Sequence, residues 1–138
     1  MSKFMKPSRR NGFTLIELLL VLVILVVLAG IVVPKLVGRA EESKKKAAKV
    51  DISNISSALR MFEVDNGHFP TSDEGLQALV IKPGSATAEW HAYLERLPMD
   101  PWEHAYVYRQ PGSHNNDYDL FSTGPDGQEG GNDDIVNW

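Results

Sequence analysis

The chain has 138 residues, a formal net charge of −4 and no cysteine, so no disulfide is available to stabilise its fold. The first 12 residues form a basic leader and the next 20 or so an apolar run. About a hundred residues remain outside these two segments, enough for one small domain with one core. Residues 50–138 carry four basic and fifteen acidic side chains, an excess that excludes a nucleic-acid-binding role for this part.

A basic leader and an apolar run open the chain. The leader has four basic side chains and no acid, namely Lys3, Lys6, Arg9 and Arg10. Every residue over 14–33 is apolar or small except Thr14 and Glu17, and this run is long enough to cross a bilayer core of about 30 Å. The positive-inside rule keeps such a leader on the cytoplasmic side, so we expect the C-terminal part on the outer side.

Glu17 lies near the start of this apolar run. An ionised carboxylate inside a membrane costs roughly 2.5–3.5 kcal/mol, so we expect it to have a dedicated cationic partner. Cleavage after Gly12 would supply that partner as the new ammonium group of Phe13, from the same chain or from a neighbour. The alternative is an ordinary signal peptide or signal anchor, but a secretory signal is cut after its apolar run, whereas Gly12 precedes it.

The segment Gly12-Phe13-Thr14-Leu15-Ile16-Glu17 resembles the signature of type IV pilins and pseudopilins. The resemblance implies that a membrane prepilin peptidase cuts after Gly12 and that Phe13 becomes the N-methylated first residue of the mature protein. It also implies that Glu17 is the acid required for assembly.

Apolar positions continue at helical spacing beyond the membrane run, through Ile52, Ile55, Leu59 and Phe62. This spacing predicts one long helix from about Phe13 to Asp65, with a membrane-spanning first part and an amphipathic second part. The Asn66-Gly67 pair is a good C-terminal stop.

Two segments of this long helix have further predicted features. Gly30, Pro34 and Gly38 interrupt the pattern, and proline removes a backbone hydrogen bond, so the helix is expected to kink or melt locally there. The run of residues 44–46 with Lys49 is basic. We favour a solvated helix face for these lysines over a contact with lipid headgroups.

The remaining residues predict a small α+β domain. A short helix is expected over residues 72–79, capped by Thr71 or Ser72, and a further helical turn over residues 90–94. Residues 105–109 and 118–122 are expected to form two strands, joined by a turn over residues 111–116. The predicted architecture is pilin-like, with a small antiparallel sheet packed on the long helix.

The last seventeen residues combine four glycines with Asp126, Glu129, Asp133 and Asp134. Calcium takes six to eight oxygens from carboxylates and carbonyls, and glycines let a loop aim several of them at one point. The spacing does not fit an EF-hand, and a solvated acidic tail is the alternative. The closing Trp138 argues against a free tail, because such a tail seldom needs an indole.

A second set of motifs resembles the major pseudopilins of the type II secretion system. These motifs are Leu97-Pro98-Met99-Asp100-Pro101-Trp102, Tyr106-Val107-Tyr108, Gly124-Pro125-Asp126-Gly127, Gly130-Gly131 and Asp134-Ile135-Val136-Asn137-Trp138. The resemblance implies one calcium ion, with ligands from the side chains of Asp126, Asp133 and Asp134 and from the carbonyls of Thr123 and Gln128. Glu103 replaces the usual glycine after Pro-Trp, which puts that turn in doubt, and Met99 replaces a common lysine.

The resemblance also implies a structural role. Residues 1–12 would be the cleaved leader, residues 13–34 the transmembrane and assembly helix, and residues 35–138 the periplasmic helix and head. The chain would sit in the bacterial inner membrane with its N-terminus cytoplasmic and would polymerise into a pseudopilus that drives export of folded proteins. Its partners would be itself, minor pseudopilins, the prepilin peptidase and the inner-membrane assembly platform. The alternatives are a type IV pilin of a surface fibre and a monomeric, membrane-anchored calcium-binding module.

Catalysis has little support in the sequence. The four histidines, His68, His91, His104 and His114, are scattered and form no helix-spaced ligand pair. No glycine-rich phosphate loop precedes a helix. The three tryptophans, Trp90, Trp102 and Trp138, are expected to anchor the core or an interface, and we expect no enzymatic activity.

Overall fold

The structure is a computed structural model that describes residues 12–138, without the side chains of residues 34–37. The predicted basic leader, including Lys3, Lys6, Arg9 and Arg10, therefore lies outside the described residues. The first element, α1, spans Leu15–Asn66, and it is the one helix of the described residues long and apolar enough to cross a membrane. The described residues of the chain divide into two compact units, one ending at Arg39 and one beginning at Ala40.

The ends of α1 follow from local chemistry. The helix begins at Leu15 rather than at Phe13, because Thr14 is the residue that caps it. The helix continues through Pro34, where the sequence predicted a kink or local melting. The helix ends at Asn66, after which Gly67 adopts a φ of 80° and donates its N–H to Glu63 O at 2.7 Å. This left-handed glycine satisfies a terminal carbonyl, as the Asn66-Gly67 pair predicts.

The core of the second unit forms around one face of α1. The predicted positions Ile52, Ile55, Leu59 and Phe62 are all buried, with exposed fractions between 0% and 5%. They pack with residues from the rest of the unit, including Leu79 and Leu120, which are also fully buried. Full burial of each large aliphatic or aromatic side chain contributes roughly 1.5–3 kcal/mol. Burial of this face therefore holds residues 67–138 against the second part of α1.

Aromatic donors also bond to acids along α1. The three pairs are Trp102 Nε1 to Glu41 at 3.1 Å, Tyr106 OH to Asp51 at 2.9 Å and Tyr93 OH to Asp65 at 2.9 Å. Burial, followed by the hydrogen bond to Asp51, raises the pKa of Tyr106 well above its usual value. The phenol therefore stays neutral and keeps donating its proton. These contacts fix the position along α1 of residues 67–138, which we call the head.

The predicted helix over residues 72–79 is wrong in its first half. Residues 72–75 form turns, and a 3-10 helix follows at Leu76–Leu79. Thr71 and Glu74 bond reciprocally, since Thr71 N donates to Glu74 Oε2 at 2.9 Å and Glu74 N to Thr71 Oγ1 at 3.3 Å. Gly75 then adopts a φ of 58°, which breaks α-helical geometry before Leu76.

The predicted helical turn over residues 90–94 is also wrong. In this segment the donors bond to the preceding element instead of to carbonyls four residues earlier. Tyr93 N and Leu94 N both donate to Leu79 O, and Trp90 Nε1 donates to Ala78 O. Tertiary hydrogen bonds therefore replace the local ones that a helix needs.

The sheet has three antiparallel strands in the order β1-β2-β3. They are β1 at Val107–Arg109, β2 at Asp119–Ser122 and β3 at Ile135–Val136. The two predicted strands are confirmed in shorter form, and β3 is an addition that the sequence analysis missed. Because β2 is buried along its whole length and pairs on both sides, it joins the core to the loop that runs from Thr123 to Asp134.

Candidate functional site

The N-terminal site residues lie at the start of α1. Phe13 is 77% exposed, and Gly12 and Glu17 are exposed as well. Thr14 N donates to Glu17 Oε2 at 3.4 Å, and Glu17 N donates to Thr14 Oγ1 at 3.3 Å. This reciprocal pair is a capping box, so in the isolated subunit the Glu17 carboxylate caps its own helix.

The apolar run is unburied in the isolated subunit. Its large side chains range from 47% exposed at Val21 to 89% exposed at Leu15, and the run continues to Val33. A continuous apolar surface of this length is not stable in water and marks a contact with lipid or with protein. The residues predicted to span the membrane are therefore available to lipid or to other subunits.

The C-terminal candidate site is the loop between β2 and β3, residues 123–134. Two of its glycines permit close approach to Asp133. A Cβ on Gly124, where φ is 64°, would lie 2.5 Å from Asp133 O, and a Cβ on Gly131 would lie 2.3 Å from Asp133 Oδ1. Larger residues at these positions would push the Asp133 carboxylate and backbone aside, so the glycines set the loop geometry.

Asp126 and Asp133, two of the three predicted carboxylate ligands, converge on one point. The Cβ position of Gly131 lies 2.3 Å from Asp133 Oδ1 and 3.3 Å from Asp126 Oδ2. Asp126 N also donates to Asp133 Oδ2 at 3.3 Å. The loop therefore brings the two carboxylates close to the same glycine, and the hydrogen bonds that they accept within the described residues come from backbone N–H groups.

Asp134, the third predicted ligand, has one satisfied oxygen and one unsatisfied oxygen. Gly130 N donates to Asp134 Oδ2 at 2.8 Å, whereas Oδ1 is buried and has no hydrogen-bond partner among the described residues. Buried polar atoms in native proteins nearly always have a partner, so an orphaned carboxylate oxygen indicates a missing ion or water. This observation fits the oxygen-rich donor set that calcium prefers.

The predicted carbonyl donors are less well defined. Thr123 is buried at the end of β2, and Gln128 is exposed, with its N–H bonded to Asp126 Oδ1 at 2.8 Å. Over residues 12–138 no group of three or more His, Cys, Asp or Glu side chains is already arranged to hold a metal. Within the described residues the loop thus brings Asp126 and Asp133 together, but Asp134 does not join them in one cluster.

Neighbouring side chains hold this loop in place. His104 Nδ1 lies 3.1 Å from Gly124 O, and its ring lies 3.1 Å from the Cβ position of Gly127. On the outer side, Arg109 of β1 forms a two-pronged ion pair with Glu129. The hydrogen bond from Arg109 lowers the pKa of Glu129, which is therefore tied to β1 rather than free to bind a metal.

Two other aspartates are satisfied by the protein itself. Asp100 is 3% exposed; its Oδ1 accepts from Trp102 N and His104 N, and its Oδ2 accepts from Ser122 Oγ. Within the turn that it closes, Glu103 adopts a φ of 68°. The turn that the sequence put in doubt therefore forms with glutamate in a conformation that favours glycine, which costs about 1–2 kcal/mol.

Asp119 is the most completely satisfied carboxylate of the head. Its two oxygens accept backbone N–H groups from Ser113, His114 and Asn115, and His114 Nδ1 lies 3.0 Å from Oδ2. Burial alone would raise the pKa of Asp119, but these hydrogen bonds outweigh it and lower the pKa to about 2. His114 in turn stacks on Trp138, with ring centroids 4.0 Å apart, so the indole anchors the end of the described chain.

Sequence reasoning missed several of these residues. The Thr14-x-x-Glu17 spacing is the signature of a capping box, and it was available in the sequence. The roles of Asp100 and Asp119 left no local signal, because their donors are backbone groups that come together only in the folded loops. The approach of Gly131 to two carboxylates was equally hidden.

The chain is similar to known proteins over nearly its whole length. Residues 35–138 match the family described as "Type II secretion system (T2SS), protein G", and residues 7–33 match the "Prokaryotic N-terminal methylation motif". "Type II secretion system core protein G" of Escherichia coli (strain K12) is 46% identical over 135 residues, which cover 95% of this chain and 92% of that protein. The protein of the same name from Pseudomonas aeruginosa is 44% identical and covers 97% and 99%.

A solved structure agrees with these matches. The crystal structure of the major pseudopilin from the type 2 secretion system of enterohaemorrhagic Escherichia coli superposes with a TM-score of 0.64. The two chains are 38% identical, and the match covers 73% of this chain and 87% of that one.

Proposed function

The chain belongs to the type II secretion system protein G family, and from that membership we propose that it is the major structural subunit of a periplasmic pseudopilus. In this proposal a prepilin peptidase cuts after Gly12, Phe13 becomes N-methylated, and the mature subunits polymerise. The growing filament then drives folded proteins across the outer membrane. The relatives carry the name of a secretion component, so the surface-fibre alternative has no support among them.

The exposed apolar run carries this proposal. Its side chains have no partner within the described part of the subunit, so they need an environment that the subunit does not supply. Lipid meets that need before assembly, and the equivalent runs of other subunits meet it in a filament. A monomeric anchor explains the first environment and the helix cap, but a neutral glutamine would serve that cap as well, so the anchor gives no reason for a negative charge at Glu17.

Glu17 supports the assembly step. Its carboxylate bonds to Thr14, which is neutral, and it forms no ion pair with any of residues 12–138. Removal of the leader would create an ammonium group on Phe13, close to Glu17 in sequence. Pairing with that group on the same or a neighbouring chain would then remove the cost of a lone charge in an apolar environment.

The same proposal covers location and partners. The apolar run anchors the subunit in the bacterial inner membrane in a single pass, with the N-terminus cytoplasmic and the head periplasmic. The chain would meet the prepilin peptidase and the inner-membrane assembly platform, then copies of itself and the minor pseudopilins. We propose a structural, non-enzymatic role for it.

Calcium is the cofactor that we propose for the head. Asp126 and Asp133 converge, Asp134 has an orphaned oxygen, and the carbonyls of Thr123 and Gln128 are the proposed further donors. When bound, the ion would supply a positive charge that cross-links these oxygens and closes the loop against β3. His104 and Arg109 already position the two sides of the loop, through their contacts with Gly124 and Glu129.

A calcium titration of the full chain in detergent tests this site. We expect calcium to raise the melting temperature of the wild-type chain and to leave that of an Asp126→Ala variant unchanged. Asp117→Ala is the matched control, because Asp117 is an exposed acid outside the loop. An equal calcium response in the wild-type and Asp126→Ala chains would contradict the site.

A Glu17→Gln variant tests the assembly function. Glutamine still serves in a capping box, so this change removes the charge and keeps the helix cap. We expect normal membrane insertion and no filaments, while a Thr14→Ala variant, which weakens only the cap, still assembles. Mass spectrometry of the wild-type chain should find a mature form that begins at methylated Phe13. Filaments of Glu17→Gln at wild-type yield would contradict the pairing argument.

A further inference from the structure

Gly124 is the second residue of the loop over residues 123–134, and both of its backbone polar groups have partners. Its N–H donates to Ser122 Oγ at 3.1 Å. Its carbonyl oxygen lies 3.1 Å from His104 Nδ1, and because a carbonyl can only accept, Nδ1 is the nitrogen that carries the proton. These two bonds hold the backbone of Gly124 from both sides, at a φ of 64°.

The bond from Gly124 N–H also sets the direction of the Thr123 carbonyl. These two groups belong to one peptide unit, which is planar and trans, so they point in opposite directions. Ser122 Oγ accepts the N–H and therefore turns the Thr123 carbonyl away from itself. Because Thr123 is one of the proposed carbonyl donors, Ser122 aims a proposed calcium ligand.

The position of Gly124 also constrains Asp133, a second proposed ligand. A Cβ on Gly124 would lie 2.5 Å from Asp133 O and 3.0 Å from Asp133 Oδ2, so the two residues are in close contact. In a packed region a displaced Gly124 would displace Asp133 as well. Two of the proposed ligands thus depend on where Gly124 is held.

Both partners of Gly124 lead back to one buried residue, Asp100. Ser122 Oγ donates to Asp100 Oδ2, and His104 N donates to Asp100 Oδ1 at 2.8 Å. Asp100 is 3% exposed and Ser122 is fully buried. Since both oxygens of Asp100 already accept hydrogen bonds, this carboxylate acts on the loop through its neighbours.

The turn that carries Asp100 is fixed by contacts outside the loop. Asp100 N donates to His104 O at 2.9 Å, and Trp102 N donates to Asp100 Oδ1 at 3.0 Å. Trp102 Nε1 in turn donates to Glu41 of α1 at 3.1 Å. Asp100 is therefore tied to the long helix, and it offers the loop a fixed point of attachment.

We propose that Asp100 is a positioning residue for the calcium site. Through Ser122 and His104 it holds Gly124, and it thereby orients the Thr123 carbonyl and places Asp133 before the ion binds. This inference rests on the proposed function, because it concerns the affinity of the calcium site proposed above. Residues that orient metal ligands without touching the metal typically change its affinity by about 10–100-fold.

Calorimetric titration of the full chain in detergent with calcium tests this role. We expect Asp100→Asn and Ser122→Ala each to raise the Kd for calcium by about tenfold or more. The asparagine oxygen can still accept from Trp102 N and His104 N, so this change keeps the turn and removes the acceptor for Ser122 Oγ. The double variant should bind no more weakly than the weaker single variant, because both changes break the same connection.

Two substitutions at His104 test the other connection. His104→Ala removes the donor to Gly124 O, so we expect the Kd to rise here as well. His104→Asn should bind calcium more tightly than His104→Ala, because the amide nitrogen is attached to Cγ as Nδ1 is and can donate to the same oxygen. His104 is partly exposed, so these variants remain informative if Asp100→Asn does not fold.

Asp119→Asn is the matched control for a general loss of stability. Asp119 is 2% exposed and accepts backbone hydrogen bonds as Asp100 does, but its donors lie in the loop over residues 113–119. This variant should have a lower melting temperature in chelator and an unchanged Kd for calcium. Each Kd is measured at a temperature at which the melting curve in chelator shows the variant to be folded.

Three results would overturn the positioning role. The first is an unchanged Kd in the Asp100, Ser122 and His104 variants. The second is a higher Kd for Asp100→Asn alone, which would show that its buried negative charge acts at a distance, since Ser122→Ala and His104→Ala retain that charge. The third is an equally large rise for Asp119→Asn. Absence of calcium binding to the wild-type chain would instead overturn the proposed calcium site itself, and this inference with it.

Discussion

The loop over residues 113–119 and the loop over residues 123–134 are both organised by aspartates, but they stabilise the negative charges differently. Asp119 receives backbone hydrogen bonds from three residues and a contact from His114. In the second loop, Asp134 keeps a buried oxygen that has no partner among residues 12–138, while Asp126 and Asp133 both approach Gly131. The first loop is complete as a peptide, whereas the calcium ion that we propose would complete the second. The proposal therefore predicts calcium dependence for one loop and not for the whole head.

The largest expected effect on stability comes from removing the Asp119 carboxylate from the loop over residues 113–119. Asp119→Ala leaves three partly buried N–H donors without their acceptor, so we expect a loss of about 3 kcal/mol in the free energy of unfolding. The loss should be the same with and without calcium, as measured by denaturant unfolding. Asp117→Ala, an exposed neighbour, should change stability by less than about 0.5 kcal/mol. A cost for Asp119→Ala that disappears in calcium would contradict the distinction between the loops.

A substitution in the loop over residues 123–134 should instead change the free energy of unfolding mainly when calcium is present. Without calcium, Asp134→Ala removes an orphaned oxygen together with the bond from Gly130, so we expect a change within about 1 kcal/mol. With calcium at a hundredfold excess over Kd, the variant should lack the roughly 2.7 kcal/mol that the wild type gains by linkage. Unfolding curves in chelator and in calcium measure both values. An equal gain in the variant would show that Asp134 is not a ligand.

Acid should separate the loops further. The folded-state pKa of Asp119, about 2, lies below the unfolded value of 3.8, so the carboxylate stabilises the fold above pH 4. That contribution, on the order of 2 kcal/mol, is lost as the pH falls from about 4 to 2. We expect the pH dependence of the unfolding free energy in chelator to be steeper for the wild type than for Asp119→Asn. Parallel curves would contradict the assigned hydrogen bonds.

The smallest effect concerns the turn over residues 100–104, which Asp100 closes without a cation. Glu103 has a φ of 68° in the turn closed by Asp100, so Glu103→Gly should stabilise the head by about 0.5–1 kcal/mol. Glu103→Ala keeps the strained backbone and should give no gain. Thermal unfolding of the two variants measures the difference, and equal stabilities would place Glu103 outside the left-handed region in solution.

The same contrast shows how far the sequence could be interpreted. The long helix and its core face were predictable because Ile52, Ile55, Leu59 and Phe62 repeat at helical spacing, and the C-terminal stop at Asn66-Gly67 has a local mechanism. The two main strands were predictable from their apolar, aromatic composition.

The parts that failed depend on distant partners. Residues 90–94 have helical composition, but their donors bond to Leu79 and Ala78, which no local pattern reveals. Strand β3 has two residues and gains its identity only by pairing with β2. The proposed calcium ligands came from resemblance, and the way in which the loop brings them together depends on how it folds around Gly131.

Calorimetric titration of the full chain in detergent with calcium tests the central claim most directly. We expect binding of one ion to the wild-type and Asp119→Asn chains, because the complete loop takes no part in coordination. We expect no binding to the Asp133→Ala chain, because that change removes the carboxylate that approaches both Asp126 and Gly131. Undiminished binding to Asp133→Ala would contradict the claim that the loop over residues 123–134 is completed by calcium.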